Sequence, residues 1–286
     1  MVFRKACDVT EMVHSTYFER APVIERVLGV QFQPIPGLHA GLLGAFWRSL
    51  GDEWPNVSDA PPLQTQFERF GPLAAMPPFP FPLFIGGIGS PRLQILNLTG
   101  DRMIQVQNGR FHLNWKGQSG EGYTRYPELR SEFERYLRRF VEFLPGAEKS
   151  QFAPNQWEIT YLNHIPQGTV WQTRADLPGL FRAIVVPPAP DAPIALETFG
   201  GKWQYEIPPQ RGRLHAELAV AQDFKPTPTE LLIFTLTARG PIGLEPDTNA
   251  ELLKGLDLGS DTIVWAFKEF TSKQAHDYWG LRDGNS

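Results

Sequence analysis

The stretch DRMIQVQNGRFHLNWK, residues 101–116, decides the architecture. Two runs of alternating apolar and polar residues flank Asn108-Gly109. That dipeptide favours a two-residue hairpin, because both residues tolerate the positive φ that a type I′ turn demands. Closing the hairpin there pairs Val106 with Phe111 and Ile104 with Leu113. Gln105, Gln107, Arg110, His112 and Asn114 are then gathered on the other face. That face is either wet or part of a site, and the amide side chains, each both donor and acceptor, suit it to recognising a backbone or a base edge.

The surrounding chain supplies the rest of a sheet and its cover. In VIERVLGVQFQPI (23–35) the alternate set Ile24, Arg26, Leu28, Val30, Phe32 is nearly all apolar, which predicts a strand with one buried face. Leu42, Leu43, Phe46, Trp47 and Leu50 recur at helical spacing before Pro55. Residues 60–91 are rich in proline, including MPPFPFPLF (76–84), and exclude a helix or a central strand. Tyr126-Pro127 then opens a helix with Phe133, Leu137, Phe140, Val141 and Leu144 inward. Its Arg130, Arg135, Arg138 and Arg139 interleave with glutamates, as on a solvated, salt-bridged face.

After Pro145-Gly146 the order restarts. NQWEITYLNHI reads as a strand, DLPGLFRAIV as a short helix, and KWQYEI, RLHAELAVAQDF and ELLIFTLTARG as further strands. A last helix is expected from about Ser260, with Ile263, Val264, Phe267 and Phe270 inward. A capping box at Thr271–Gln274 then starts a short helix that ends at Gly280. Both halves read strand, helix, proline-rich connection, antiparallel strands, long helix. The fold expected is therefore α+β, with helices covering one face of a mainly antiparallel sheet. It divides into an N-terminal extension (1–20) and two tandem similar units (21–146 and 147–286).

Composition narrows the function. A net charge of −4 argues against a protein that coats nucleic acid, which needs many phosphate-neutralising cations. No stretch is apolar enough for a signal peptide or a membrane span, so no membrane partner is expected. The single cysteine, Cys7, excludes an internal disulfide and fits a cytoplasmic location. The six histidines are scattered without ligand spacing, and neither a metal nor a cofactor is expected. GGIGSPR (86–92) has the glycines of a phosphate loop but runs into a proline and a strand. No nucleophile elbow occurs. Glu158, His164 and His112 could flank a pocket between sheet and long helix, and that defines the alternative reading, a small-ligand receptor or enzyme. Phe79, Phe81 and Phe84 sit on a stiff proline-rich backbone and either plug the core or meet a partner. Trp265, Tyr278 and Trp279 are expected in the core.

The blocks APVIERVLGVQFQPIPGLHAGLLGAFW, RMIQVQNGRFHLNWK, TRYPELRSEFERYL, PNQWEITYLNHI and DTIVWAFKEFTSKQAHDYWG, in that order, resemble a sporadically distributed family of uncharacterised bacterial proteins. The resemblance covers most of the chain and touches Gln105, Gln107, Phe111, Asn114, Trp115, Asn163, His164, His276 and Trp279. The patchy distribution implies mobile genes such as toxin–antitoxin or antiviral defence components. The expected function is therefore a non-enzymatic binding protein, the partner-binding or neutralising component of such a module. Its protein partner is expected to contact Gln105, Gln107, Arg110, His112, Asn114, Asn163, His164, Phe79 and Phe81. Edge strands on two similar units make a homodimer a candidate assembly.

Overall fold

The computed structural model describes residues 16–70, 91–117, 124–181, 198–223, 228–243 and 248–283. The expectations placed on Cys7, Phe79, Phe81, Phe84 and the glycines of residues 86–89 lie outside them. The strands are β1 (Thr16–Phe18), β2 (Val23–Phe32), β3 (Asn56–Ala60), β4 (Arg92–Leu96), β5 (Arg102–Gln107), β6 (Arg110–Lys116), β7 (Pro154–Pro166), β8 (Gly200–Ile207), β9 (Gly212–Gln222), β10 (Glu230–Pro241) and β11 (Leu281–Asp283). The helices are α1 (Ala40–Ser49), α2 (Tyr126–Phe143), α3 (Gly146–Lys149), α4 (Leu177–Leu180), α5 (Thr248–Phe270) and α6 (Lys273–Trp279).

Among the described residues, nine strands form one antiparallel sheet in the order β3-β4-β5-β6-β2-β7-β10-β9-β8, and β1 pairs separately with β11. Consecutive strands pair at β4-β5, β5-β6, β8-β9 and β9-β10, whereas β6-β2, β2-β7 and β7-β10 join strands distant in sequence; at the centre Leu28 faces Ile159 and Gly29 faces Glu158 across β2 and β7. Strict alternation then sorts the side chains. Leu28, Val30 and Phe32 share one face with Phe111, Leu113, Trp157, Ile159, Phe234 and Leu236, all fully buried or nearly so.

Helices α2 and α5 cover that face. Phe140 of α2 stacks on Phe111 with ring centroids 5.4 Å apart, and Phe133 meets the same ring edge-on at 6.0 Å. The faces of α2 follow the sequence reading in part. Arg138 pairs with Glu134 at 2.8 Å on its own helix, but Arg130 reaches across to Asp257 of α5 at 2.7 Å.

Four local expectations are corrected. First, α5 begins twelve residues before Ser260, because the low helix propensity of Gly255 and Gly259 hides a packing device. A Cβ on Gly255 would lie 2.3 Å from Trp157, and one on Gly259 would lie 2.5 Å from Ile159, so only glycine lets α5 sit this close to β7. Second, at the β5–β6 turn only Gly109 takes a positive φ (95°). Asn108 stays at negative φ because its amide is engaged elsewhere: Nδ2 donates to the Ile35 carbonyl and Oδ1 accepts from the Ile35 N–H, both at 2.8 Å. Third, Ser272, not Thr271, caps α6, accepting from the Ala275 N–H, while the Thr271 hydroxyl donates to the Phe267 carbonyl at 2.6 Å. Fourth, Trp279 is buried as expected but Trp265 and Tyr278 are about half exposed, on the outer sides of α5 and α6.

Candidate functional site

The polar face of the hairpin is not wet. Gln105, Gln107, Arg110, His112 and Asn114 are all buried. Strand pairing extends the face across the sheet: Gln31 stands opposite Arg110 and Gln156, Gly29 opposite His112 and Glu158, and Glu158 opposite Arg239. Residues 61–70, which have no regular secondary structure, cross this face at an angle to the strands.

The crossing segment is held by its backbone. Gln107 of β5 donates through Nε2 to the Leu63 carbonyl (3.0 Å) and accepts at Oε1 from the Leu63 N–H (2.8 Å). Arg110 of β6 donates to the Gln64 carbonyl at 2.6 Å. Gln31 of β2 accepts from the Gln66 N–H at 3.2 Å, and its own amide donates to Asn155 Oδ1 at 3.1 Å. Gln156 of β7 donates to the Gln66 carbonyl at 2.9 Å and accepts from the Glu68 N–H at 3.1 Å. The spacing has a simple origin. Two inter-strand steps, about 9.6 Å, nearly equal three residues of extended chain, about 10 Å. A strap three residues long therefore passes from β5 to β2 in register.

The strap ends in a charge cluster. Glu68, whose side chain is 4% exposed, accepts from Arg239 Nε at 2.5 Å, lies 2.7 Å from His215 Nε2, and is ion-paired with Arg213. Burial opposes its ionisation, yet hydrogen bonds from His215 and Arg239 and the charges beside it bring its pKa down to about 2. Arg213 also donates to the Arg69 carbonyl at 2.8 Å and lies 5.1 Å from the Phe70 ring centre.

Beside the strap the face holds two further polar arrays. Asn114 donates to Glu25 at 2.7 Å, Gln105 donates to Asn114 at 2.8 Å, and Arg92 donates to Gln105 at 2.7 Å. Two amides thus link an acid to a base in one head-to-tail line. Between strap and sheet lies a polar cavity of about 240 Å³ lined by Gln64, Gln66, Arg110, Glu158, Thr160 and Arg239 among others. Glu158 accepts from Arg239 at 3.3 Å and lies 3.9 Å from Arg110, so it serves as a counterion between two guanidinium groups.

Sequence reasoning placed these residues unevenly. Gln105, Gln107, Arg110, His112 and Asn114 do converge, and Glu158 joins them one strand beyond Gly29. His164 lies at the far end of β7, and Asn163 points to the helix side, where Nδ2 donates to the Phe234 carbonyl at 2.9 Å. A pocket between sheet and long helix lined by His112, Asn114, Glu158 and His164 was expected; a cavity does lie between the sheet and α5, but those four do not line it, because strand alternation puts all four on the opposite face. Gln31, Gln156, Arg213, His215 and Arg239 were missed. The alternation of β2, β7, β9 and β10 assigns them to the polar face, but nothing in sequence links them to residues 61–70.

Among the described residues no three His, Cys, Asp or Glu side chains converge on a metal position. No helix among them is long and apolar enough to cross a membrane. No protein-family model, curated protein or solved structure matches the chain. The fold and site thus define a mixed α and β protein built on one large antiparallel sheet, with an extended segment held on its polar face by side-chain amides.

Proposed function

We propose that this is a non-enzymatic binding protein whose recognition surface is the polar face of the sheet, and that its own residues 61–70 occupy the place of an extended segment of a protein partner. The observation that carries this is the reading of backbone, not side chains, by Gln107, Arg110, Gln31 and Gln156. Such contacts accept any extended chain of suitable length, and the cations around Glu68 add a preference for an acidic residue at one end. In the setting implied by the family resemblance, the partner is the toxin or effector of a bacterial toxin–antitoxin or defence module in the cytoplasm.

The strand order supports a further part of the proposal, descent of the two halves from one unit. Outward from the centre, β2, β6, β5, β4 on one side correspond in chain order to β7, β10, β9, β8 on the other, and a long helix follows each set.

The test is capture of the partner from native cells, followed by amide exchange of the complex. If the partner replaces the strap, the N–H groups of Leu63, Gln66 and Glu68 are protected in the free protein and exchange freely in the complex. Gln107→Ala with Gln156→Ala then weakens capture. A bound partner that leaves those amides protected, and binds the double variant equally well, assigns the strap to the fold alone. A second reading, a small-ligand receptor, is supported by one observation, the separate cavity between the sheet and α5.

A further inference from the structure

We propose that the outer edge of β8 is the contact surface for a second copy of this chain, whose own β8 adds to it antiparallel, so that two nine-stranded sheets become one. The contact leaves the strap where it is.

Among the described residues β8 ends the sheet and pairs only with β9. The outer N–H and C=O groups of such a strand are a template for a further strand. Along it Lys202, Gln204, Tyr205 and Glu206 are exposed, the Lys202 side chain by 75% and Tyr205 by 43%. Alternation sorts these side chains between the two faces. Trp203 and Tyr205, opposite Ala216 and Leu214, stand on the helix side, where Tyr205 meets the Phe270 ring of α5 at 5.4 Å. Lys202, Gln204 and Glu206, opposite Glu217, His215 and Arg213, stand on the strap side.

Symmetry restricts how β8 can meet itself. In an antiparallel pair, opposed residues both direct their backbone groups across the pair or both direct them away. A two-fold axis normal to the sheet must therefore pass through a residue, not between two. Centred on Gln204, it sets Lys202 against Glu206 of the second copy and Trp203 against Tyr205 of the second copy, each pair occurring twice. Centred on Trp203 or on Tyr205, it sets Lys202 or Glu206 against the neutral Gln204, and no opposite charges meet. Only the first register is complementary.

That register also continues the pattern of the neighbouring strands. Across the two β9 and two β8 strands the strap side reads Glu217, Lys202, Glu206, Arg213, alternating in sign, and the helix side reads Ala216, Trp203, Tyr205, Leu214. Opposite-charge and aromatic cross-strand pairs both stabilise a sheet. Lys202 already lies 3.0 Å from Glu217 on its own β9, and the three donors of an ammonium allow it to bridge both carboxylates. At the far edge of the sheet β3 holds a single charged residue, Asp59, so no register of β3 with itself joins opposite charges. The self-complementary edge is thus β8, and a two-fold contact through it closes at two copies.

The experiment is sedimentation equilibrium of the full chain over a series of concentrations, with Lys202→Glu and Glu206→Lys made separately. Both side chains are exposed, so neither substitution disturbs the core. The unaltered chain is expected to pass from monomer to dimer as concentration rises. Each variant sets like charges against each other at both symmetry-related positions, and should raise the dissociation constant about tenfold or more. Mixed in equal amounts, the two variants restore opposite charges at both positions, and the dimer returns. An unaltered chain that stays monomeric throughout, a dimer that survives both substitutions, or a mixture no more associated than either variant alone overturns the inference.

Discussion

The imidazole of His112 lies over Gly29. The two residues face each other across β6 and β2, and a Cβ placed on Gly29 would come 2.4 Å from His112 Cδ2. Glycine at this position therefore serves the ring beside it, not a turn. Gly29→Ala must push the imidazole aside within a buried layer, at an expected cost of about 1–3 kcal/mol in urea unfolding. Removing the ring removes the conflict. Gly29→Ala with His112→Ala should be less destabilised than the sum of the two single variants. Strict additivity would mean that the ring does not fill that space.

The same ring sets a pH dependence. Burial holds the His112 pKa down at about 4; Glu158 pulls it upward, and Arg110 and Arg92 add to the depression. An unfolded histidine titrates near 6.5, so between those values the unfolded chain takes up a proton that the folded one refuses. Stability is full above about pH 6.5 and falls as pH drops towards 4, by up to about 3 kcal/mol. Unfolding free energies measured from pH 7.5 to 5 should slope accordingly, and His112→Gln should flatten that slope.

Glu68 predicts a second, more acidic window. Its folded pKa of about 2 lies below the value of 4.5 that it has without its partners. The hold on the strap is complete above about pH 4.5 and is lost as pH falls towards 2. Amide exchange at Leu63, Gln66 and Glu68 should accelerate over that range while the sheet stays protected. At neutral pH, Glu68→Gln keeps a hydrogen-bonding group but loses the charge. It should cost the strap about 1.5–3 kcal/mol of local stability in the same measurement.

Two helical glycines should respond in opposite directions to alanine. On propensity alone Gly→Ala gains about 1 kcal/mol inside a helix. Gly44 in α1 has open space around it and should show that gain in thermal or urea unfolding. Gly255 in α5 lies against Trp157, and the clash there should outweigh the gain and destabilise by about 1–3 kcal/mol.

What was legible in the sequence was local and periodic. The alternation of β2, β5 and β6, the Asn108-Gly109 turn and the stripe of α2 each follow from contacts a few residues apart or from a regular repeat. The same logic located the polar face. It could not say what covers that face, because the hydrogen bonds from Gln107 to Leu63 and from Gln156 to Gln66 span 44 and 90 residues and obey no repeat. Residues 61–70 read only as a proline-rich connection, although side chains of β2, β5, β6 and β7 hold their backbone at Leu63, Gln64, Gln66 and Glu68. The start of α5 was hidden for a related reason. Gly255 and Gly259 look like helix breakers until Trp157, a hundred residues earlier, supplies the surface they fit.

The strap begins on strands of the first half of the chain and ends on strands of the second. Its early residues bond to Gln107 and Arg110, and its later ones to Gln156, Arg213, His215 and Arg239. When residues 61–70 leave the ribosome, none of the latter group yet exists. A nascent chain halted before β7 leaves the edge of β2 open and Glu68 without its cations. The strap is thus a latch that fastens after both halves have joined, and its closure reports that the whole sheet has been assembled.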